Sequence, residues 1–233
     1  MSRRIVIASS NQHKITELQE MLARARVPEL RELEVVSVGA LTDHGPAPII
    51  EESSNSFVGN AVLKANGVAQ WLRRGHAALD DLVLADDSGL CVDALDGAPG
   101  VYSARFGGAD ADDDTNNAKL VAELGARGLE GSPAHYVCVL AVRQVGTRPI
   151  DFTLPDGGVY LRDDCVCIEG RCFGQVQIAR RGTGGFGYDP HFWIDGIGAN
   201  AKTFAELSPG EKSQRSHRGS AMRKLVKELP LLL

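Results

Sequence analysis

Leu82-Val83-Leu84-Ala85-Asp86-Asp87-Ser88-Gly89-Leu90-Cys91-Val92 sets two adjacent carboxylates between two short apolar runs. The spacing predicts strands over 82–85 and 90–92, with the Asp pair, Ser88 and Gly89 as a small-residue turn between them. Strands of an α/β sheet deliver functional groups at their carboxyl ends, where a ligand crevice can form. A carboxylate pair at such an end suits a hard cation. Mg²⁺ takes one or two protein carboxylates and shares its other positions with water and phosphate. The same tetrapeptide would also serve as a solvated Asp-rich turn, so its surroundings decide.

Those surroundings read as alternating strand and helix. Ile5-Val6-Ile7-Ala8 is a first strand, and Ile15, Leu18, Leu22 and Ala25 after it keep helical spacing. Residues 33–38 predict a second strand and 42–48 a Gly/Pro-containing loop. A second helix carries Phe57, Ala61, Ala65, Val68, Ala69 and Leu72 on one side, capped by Ser54 or Asn55, with Gly75 just past its end. Residues 115–124 predict a helix and 136–142 a central strand. Residues 144–178 read as β-rich, with turns at Pro155-Asp156-Gly157-Gly158 and Glu169-Gly170. Ser208-Pro209-Gly210-Glu211 combines a Ser cap, Pro at the first helical position and Glu three residues after the cap. Met222, Val226 and Leu229 share one face of the helix region that follows. The pattern gives an α/β fold with parallel and antiparallel strands mixed. With no repeat and no low-complexity linker, residues 1–233 form one domain.

Composition narrows the function classes. A chain of 233 residues has ample length for a buried core. Its net charge of −5 argues against broad nucleic-acid binding, which needs a basic face, and leaves room for a small anion held by a few placed lysines. No apolar run approaches a membrane span, and the amino terminus enters the first strand without a signal-peptide core. The five cysteines (Cys91, Cys138, Cys165, Cys167 and Cys172) are odd in number and scattered, which fits reduced thiols and a cytoplasmic setting. The Cys165-x-Cys167 spacing with Cys172 matches no common zinc finger.

Four further segments carry chemistry. Ser9, Ser10, Asn11, Gln12, His13 and Lys14 join the first strand to the first helix. Free N–H groups at a helix N-terminus bind phosphate, and Lys14 adds a point charge. Glu51-Glu52 precedes Asn60 and Lys64, which share a helix face. In a functional reading Glu51 moves toward the Asp pair as a metal ligand and Lys64 toward phosphate. Gly182-Thr183-Gly184-Gly185-Phe186-Gly187-Tyr188-Asp189-Pro190 sets four glycines around two aromatics and an acid, which suits a ligand loop whose ring stacks on a base. Lys212, Arg215, His217 and Arg218 concentrate donors at a helix start.

Together these segments resemble the inosine triphosphate pyrophosphatase family, the Ham1-like hydrolases of non-standard purine nucleoside triphosphates such as ITP, dITP and XTP. The resemblance covers nearly the whole chain in order. It includes Phe57…Asn60-Ala61…Lys64-Ala65, Gly97-Ala98-Pro99-Gly100-Val101-Tyr102-Ser103-Ala104-Arg105-Phe106, Lys202-Thr203, Glu206-Leu207 and Ser216-His217-Arg218-Gly219. It implies an elongated mixed sheet flanked by helices, two lobes with an active-site cleft between them, a homodimer and Mg²⁺ dependence. By position, Ser9, Ser10, Asn11, Gln12, His13 and Lys14 would hold the phosphates. Glu51 and Asp87 would bind metal, with Asp87 also the catalytic proton acceptor. Lys64, Ser88, Phe186, Gly187, Tyr188, Asp189, Lys212, His217 and Arg218 would contact the nucleotide. The chain departs from the family in two places. Ser9-Ser10 stand for Thr-Gly and His13 for a second Gly, and the segment from Arg143 to Cys172 looks longer than is typical of the family. Rival readings are a phosphatase with Asp86 or Asp87 as covalent nucleophile and a nucleotide sensor without turnover.

Overall fold

A computed structural model of the chain describes residues 3–9, 12–41, 45–75, 79–146, 157–194 and 201–233. Seven strands form one sheet. They are β1 (Arg4–Ile7), β2 (Glu34–Ser37), β3 (Leu82–Val92), β4 (Gly131–Gln144), β5 (Val159–Arg162), β6 (Cys165–Gln177) and β7 (Phe192–Trp193). The order is β2-β1-β3-β4-β6-β5, with β7 also paired to β6. β1 runs parallel to β2 and β3, while β5 and β7 run antiparallel to β6. The mixed α/β expectation is met. The chain divides into two compact units. One comprises Met1–Asp87, Val139–Glu169 and Ala221–Leu233; the other comprises Ser88–Cys138 and Gly170–Ser220.

In the first unit, Ile5, Val6 and Ile7 are all buried, as a strand flanked by parallel neighbours requires. Arg4 at its start donates from Nε and Nη2 to the buried Asp81 carboxylate at 3.1 and 2.6 Å. Helix α1 (Gln12–Ala23) buries Ile15, Leu18 and Leu22, and the short α2 (Pro28–Arg31) buries Leu30. Helix α3 (Phe57–Arg74) buries Ala61, Ala65, Val68, Ala69 and Leu72. Its cap is Ser56, one residue beyond the two candidates. Ser56 Oγ accepts the Gly59 N–H, while Ser54 N–H is used by Asn60. The chain steps from β1 outward to β2 through α1, then back across β1 to β3 through α3. Right-handed crossovers in opposite directions place α1 and α3 on opposite faces of the sheet.

The second unit packs Leu90, Leu120, Leu124, Tyr136, Val176, Phe192 and Phe204 into one core. Helix α4 (Asp113–Ala126) is capped by Asp112, which accepts the Thr115 N–H at 2.8 Å. Helix α5 (Pro209–Arg215) starts with the expected capping box, Glu211 Oε2 accepting the Ser208 N–H at 2.8 Å. Ser216 ends α5 and receives the Gly219 N–H at the start of α6 (His217–Glu228).

Two expectations are corrected. The Asp pair does not sit in a turn, because β3 runs unbroken from Leu82 to Val92. Ser88 and Gly89 carry weak strand propensity, but each half of β3 lies in a buried apolar core, and packing overrides local preference. No turn interrupts Glu169-Gly170 either, since β6 continues through both for the same reason. Of the other expected turn, Pro155 and Asp156 lie outside the described residues. Among the described residues no helix is long and apolar enough to cross a membrane.

Candidate active site

The continuity of β3 changes how its carboxylates work. Successive strand side chains point to opposite faces of a sheet, so Asp86 and Asp87 do not act as a paired chelate. Their partners agree with this. Asp86 Oδ1 pairs with Lys14 Nζ of α1 at 2.6 Å. Asp87 Oδ2 accepts from Asn60 Nδ2 of α3 at 3.1 Å, and its Oδ1 lies 3.7 Å from Lys64 Nζ. Asn60 is completely buried and turned by its own Oδ1, which accepts the Ser54 N–H at 2.9 Å. The amide nitrogen must therefore face Asp87.

Burial raises the Asp87 pKa above the ordinary carboxylate value. Lys64 and the Asn60 hydrogen bond oppose that shift, and the charges of Glu52 and Asp86 add to it. The acidic neighbour that reaches this cluster is Glu52, whose Oε1 lies 3.2 Å from Lys64 Nζ. Glu51, the residue expected there, is exposed. Glu52 beside it is half-buried. Asn60 and Glu52 were visible in the sequence only as neighbours of the residues selected.

The phosphate turn is described in part. Ser10 and Asn11 lie outside the described residues, and Gln12 and His13 form the first backbone turn of α1. Ser9 closes against β2, its carbonyl accepting the Ser37 hydroxyl at 3.0 Å.

The second unit holds a cavity of about 220 Å³. Ser88, Phe186, Gly187, Tyr188 and Asp189 line it together with Lys212, His217 and Arg218, so the expected nucleotide contacts of this unit converge on one space. Asp189 organises it. Its Oδ2 accepts the Phe186 N–H at 2.8 Å and pairs with Lys212 Nζ. Lys212 Nζ also sits 4.1 Å from the centre of the largely exposed Phe186 ring. Burial raises the Asp189 pKa, and Lys212 opposes the shift. Tyr188 is buried, and its hydroxyl donates to the Ser103 carbonyl at 2.8 Å. Arg218 Nη2 donates to Ser88 Oγ at 3.2 Å. The His217 ring stacks on Tyr136, 4.7 Å between centres and 9° from parallel.

Glycine is required at several points of this loop, and Gly185 bears on Asp189 directly. Gly185 has φ +77°, and a Cβ there would overlap Asp189 Oδ2. Tyr136, Asp113, Asn116 and Ser103 also line the cavity. Of these only Ser103 fell within a quoted motif. Tyr136 sits in a buried strand, where an aromatic is ordinary core, and nothing in its spacing points to a ligand. The five cysteines are free thiols, and burial pushes both Cys165 and Cys167 up to about 12.

Comparison with known proteins spans nearly the whole chain. A dITP/XTP pyrophosphatase of Ralstonia nicotianae is 43% identical over 232 residues, covering 98% of each chain. One from Exiguobacterium sibiricum is 39% identical over 230 residues, covering 99% of this chain and 98% of its own. The solved structure of a HAM1 protein from Coxiella burnetii superposes with a TM-score of 0.77 at 32% identity, covering 98% of each chain. The Ham1 family model matches residues 5–228, from the middle of β1 to the end of α6, and the chain belongs to the Ham1 family.

Proposed function

We propose that this chain hydrolyses deaminated purine nucleoside triphosphates, ITP, dITP and XTP, to the nucleoside monophosphate and pyrophosphate. The substrate class follows the name that its relatives carry, dITP/XTP pyrophosphatase. The observation that carries the chemistry is Asp87, a buried carboxyl fixed by Asn60 and flanked by Lys64. Its raised pKa makes it a stronger base than an exposed aspartate, which suits taking a proton from the attacking water. The bond that forms joins that water oxygen to the α-phosphorus, and pyrophosphate leaves with the electrons of the broken anhydride bond. Lys14 and Lys64 supply fixed positive charge for the phosphates and the charge growing on the leaving group. Ser9, Ser10, Asn11, Gln12 and His13 contribute the α1 N-terminus to phosphate binding.

Mg²⁺ fits the donor chemistry of hard carboxylates, Asp87 with a glutamate of the Glu51-Glu52 pair: Glu51 is exposed and open to a ligand, and Glu52 lies toward Lys64. When bound, the ion would neutralise phosphate oxygens and favour departure of pyrophosphate.

In the second unit, Phe186 offers a ring face to the base, while Gly187, Tyr188 and Asp189 shape the wall. Lys212, His217 and Arg218 present donors to the C6 carbonyl of hypoxanthine or xanthine, and Ser88 orients Arg218. Adenine presents an amino donor at that position and would meet donor against donor. The reading includes a single catalytic domain over residues 1–233, a homodimer, and a cytoplasmic setting that suits free thiols. The test is a panel of ITP, dITP, XTP, GTP and ATP with Mg²⁺, scoring pyrophosphate against orthophosphate. Pyrophosphate from the deaminated purines supports the reading. Orthophosphate with a trapped aspartyl-phosphate, or binding without turnover, would replace it.

A further inference from the structure

Gly187 is held from both sides of its backbone by one helix. Its N–H donates to Asp113 Oδ2 at 2.6 Å, and its carbonyl accepts from Asn117 Nδ2 at 2.9 Å. Asp113 and Asn117 are four residues apart on α4 and share a face. We propose that this first turn of α4 is a clamp that sets the shape of the base-reading loop, with Asp113 and Asn117 as positioning residues for base recognition. The inference rests on the function proposed above.

The physical case begins with the loop itself. Residues 182–188 belong to no strand or helix, and Gly182, Gly185 and Gly187 have positive φ, Gly187 at +59°. Glycines leave such a segment many alternative conformations, so something outside it must select one. The selection comes from tethers on either side of Phe186. Asp189 holds the Phe186 N–H, the Tyr188 hydroxyl reaches Ser103, and the α4 pair grips Gly187 between them. Asn117 is 6% exposed and does not line the 220 Å³ cavity, and its amide nitrogen meets the loop at the Gly187 carbonyl. Asp113 sits in the first turn of α4, where a negative charge is favoured by the helix dipole. Ordering the loop before the base arrives removes an entropy cost from binding and leaves the phosphate chemistry of the first unit untouched.

The experiment compares wild type with Asn117→Ala, Asp113→Ala and the double variant. It measures steady-state hydrolysis of ITP and inhibition by inorganic tripolyphosphate, which has phosphates and no base. Expected is a rise of about tenfold in KM for ITP, the scale of one buried hydrogen bond, with kcat within about twofold. The inhibition constant of tripolyphosphate stays unchanged. The double variant is no worse than the worse single one, because both act on one residue. Asn117→Asp keeps the side-chain shape but turns the donor into an acceptor, so it reproduces the KM effect even where alanine weakens folding. Asp113→Asn retains an acceptor oxygen and recovers most of the loss. An unchanged KM in Asn117→Ala and Asn117→Asp, with wild type active on ITP, overturns the clamp. So does a parallel rise in KM and in the tripolyphosphate constant. A wild type inactive on ITP overturns the functional reading on which the clamp rests.

Discussion

Alanine at position 185 separates two contributions to the base-reading loop. The backbone at Gly185 has φ +77°, which an L side chain adopts at a cost of about 1–2 kcal/mol. The new Cβ would also overlap Asp189 Oδ2 and lie 2.9 Å from its Cγ. Asp189 is 2% exposed and tied to both the Phe186 N–H and Lys212, so it cannot shift without disturbing those bonds. Moving it stretches the 2.8 Å bond from Phe186 N–H and the Lys212 ion pair, and one hydrogen bond to a charged group is worth roughly 1.5–3 kcal/mol. The sum is about 2.5–5 kcal/mol. Gly187→Ala supplies the control. Its φ is +59°, yet a Cβ there meets nothing within 4 Å, so it carries the backbone cost alone. For a chain of this size each kcal/mol lowers Tm by about 2–4 °C. Calorimetry on the two variants should therefore place Gly185→Ala about 3–12 °C below Gly187→Ala. The KM for ITP should rise further in Gly185→Ala, because Phe186 and Lys212 lose their common anchor. Equal Tm and equal KM in the two variants would refute Asp189 as the organiser of the loop.

The remaining expectations concern the other groups. Asp87→Asn abolishes ITP hydrolysis while circular dichroism and Tm stay near wild type, since Asn keeps the shape and loses the base; retained turnover at saturating Mg²⁺ would remove Asp87 from the chemistry. Lys14→Ala and Lys64→Ala each weaken triphosphate binding by roughly 1.5–3 kcal/mol in calorimetric titration. In Arg218→Ala the ITP-to-ATP ratio of kcat/KM collapses toward one, and an unchanged ratio would exclude Arg218 from reading the base. The Thr115 hydroxyl and N–H hold the Asp112 carboxyl below its usual range. The stability it lends is thus present above the ordinary carboxylate pKa of about 4 and lost as pH falls through the lower folded value. In an acid titration of Tm, Asp112→Asn should show a flatter decline than wild type over that interval.

Much of the architecture was legible because the chain states it locally. Ile5-Val6-Ile7, the alanine stripe of α3 and the Ser208–Glu211 box each specify an element by pattern or cap, and all three form as read. The loop at 182–189 was legible for a different reason. Glycines beside Phe and Tyr are costly to order without a use, so the composition itself points to a ligand. Side chains that act from regular structure were not legible. Tyr136 looks like any strand aromatic, and Asp113 and Asn117 look like helix-start residues. Their roles come from tertiary contacts with His217 and Gly187, tens of residues away in the chain.

The Asp pair shows why a motif can be found correctly and read with the wrong geometry. Adjacent acids suggest a shared cation only if the backbone bends to bring them together, and Ser88-Gly89 invited that reading. An unbroken β3 sends the two side chains to opposite faces, and right-handed crossovers taken in opposite directions along the sheet put a different helix on each face. Asp86 meets Lys14 from α1, while Asp87 meets Asn60 and Lys64 from α3. One dipeptide therefore anchors two lysines that come from separate helices. In the function proposed above the proton acceptor is Asp87, the carboxyl whose neighbours include an amide nitrogen that can only donate and an ammonium held partly by Glu52. If Asp86 and Asp87 were equivalent, Asp86→Asn would abolish turnover as completely as Asp87→Asn. The geometry instead expects Asp86→Asn to raise the KM for ITP through a mispositioned Lys14 and to retain a measurable kcat.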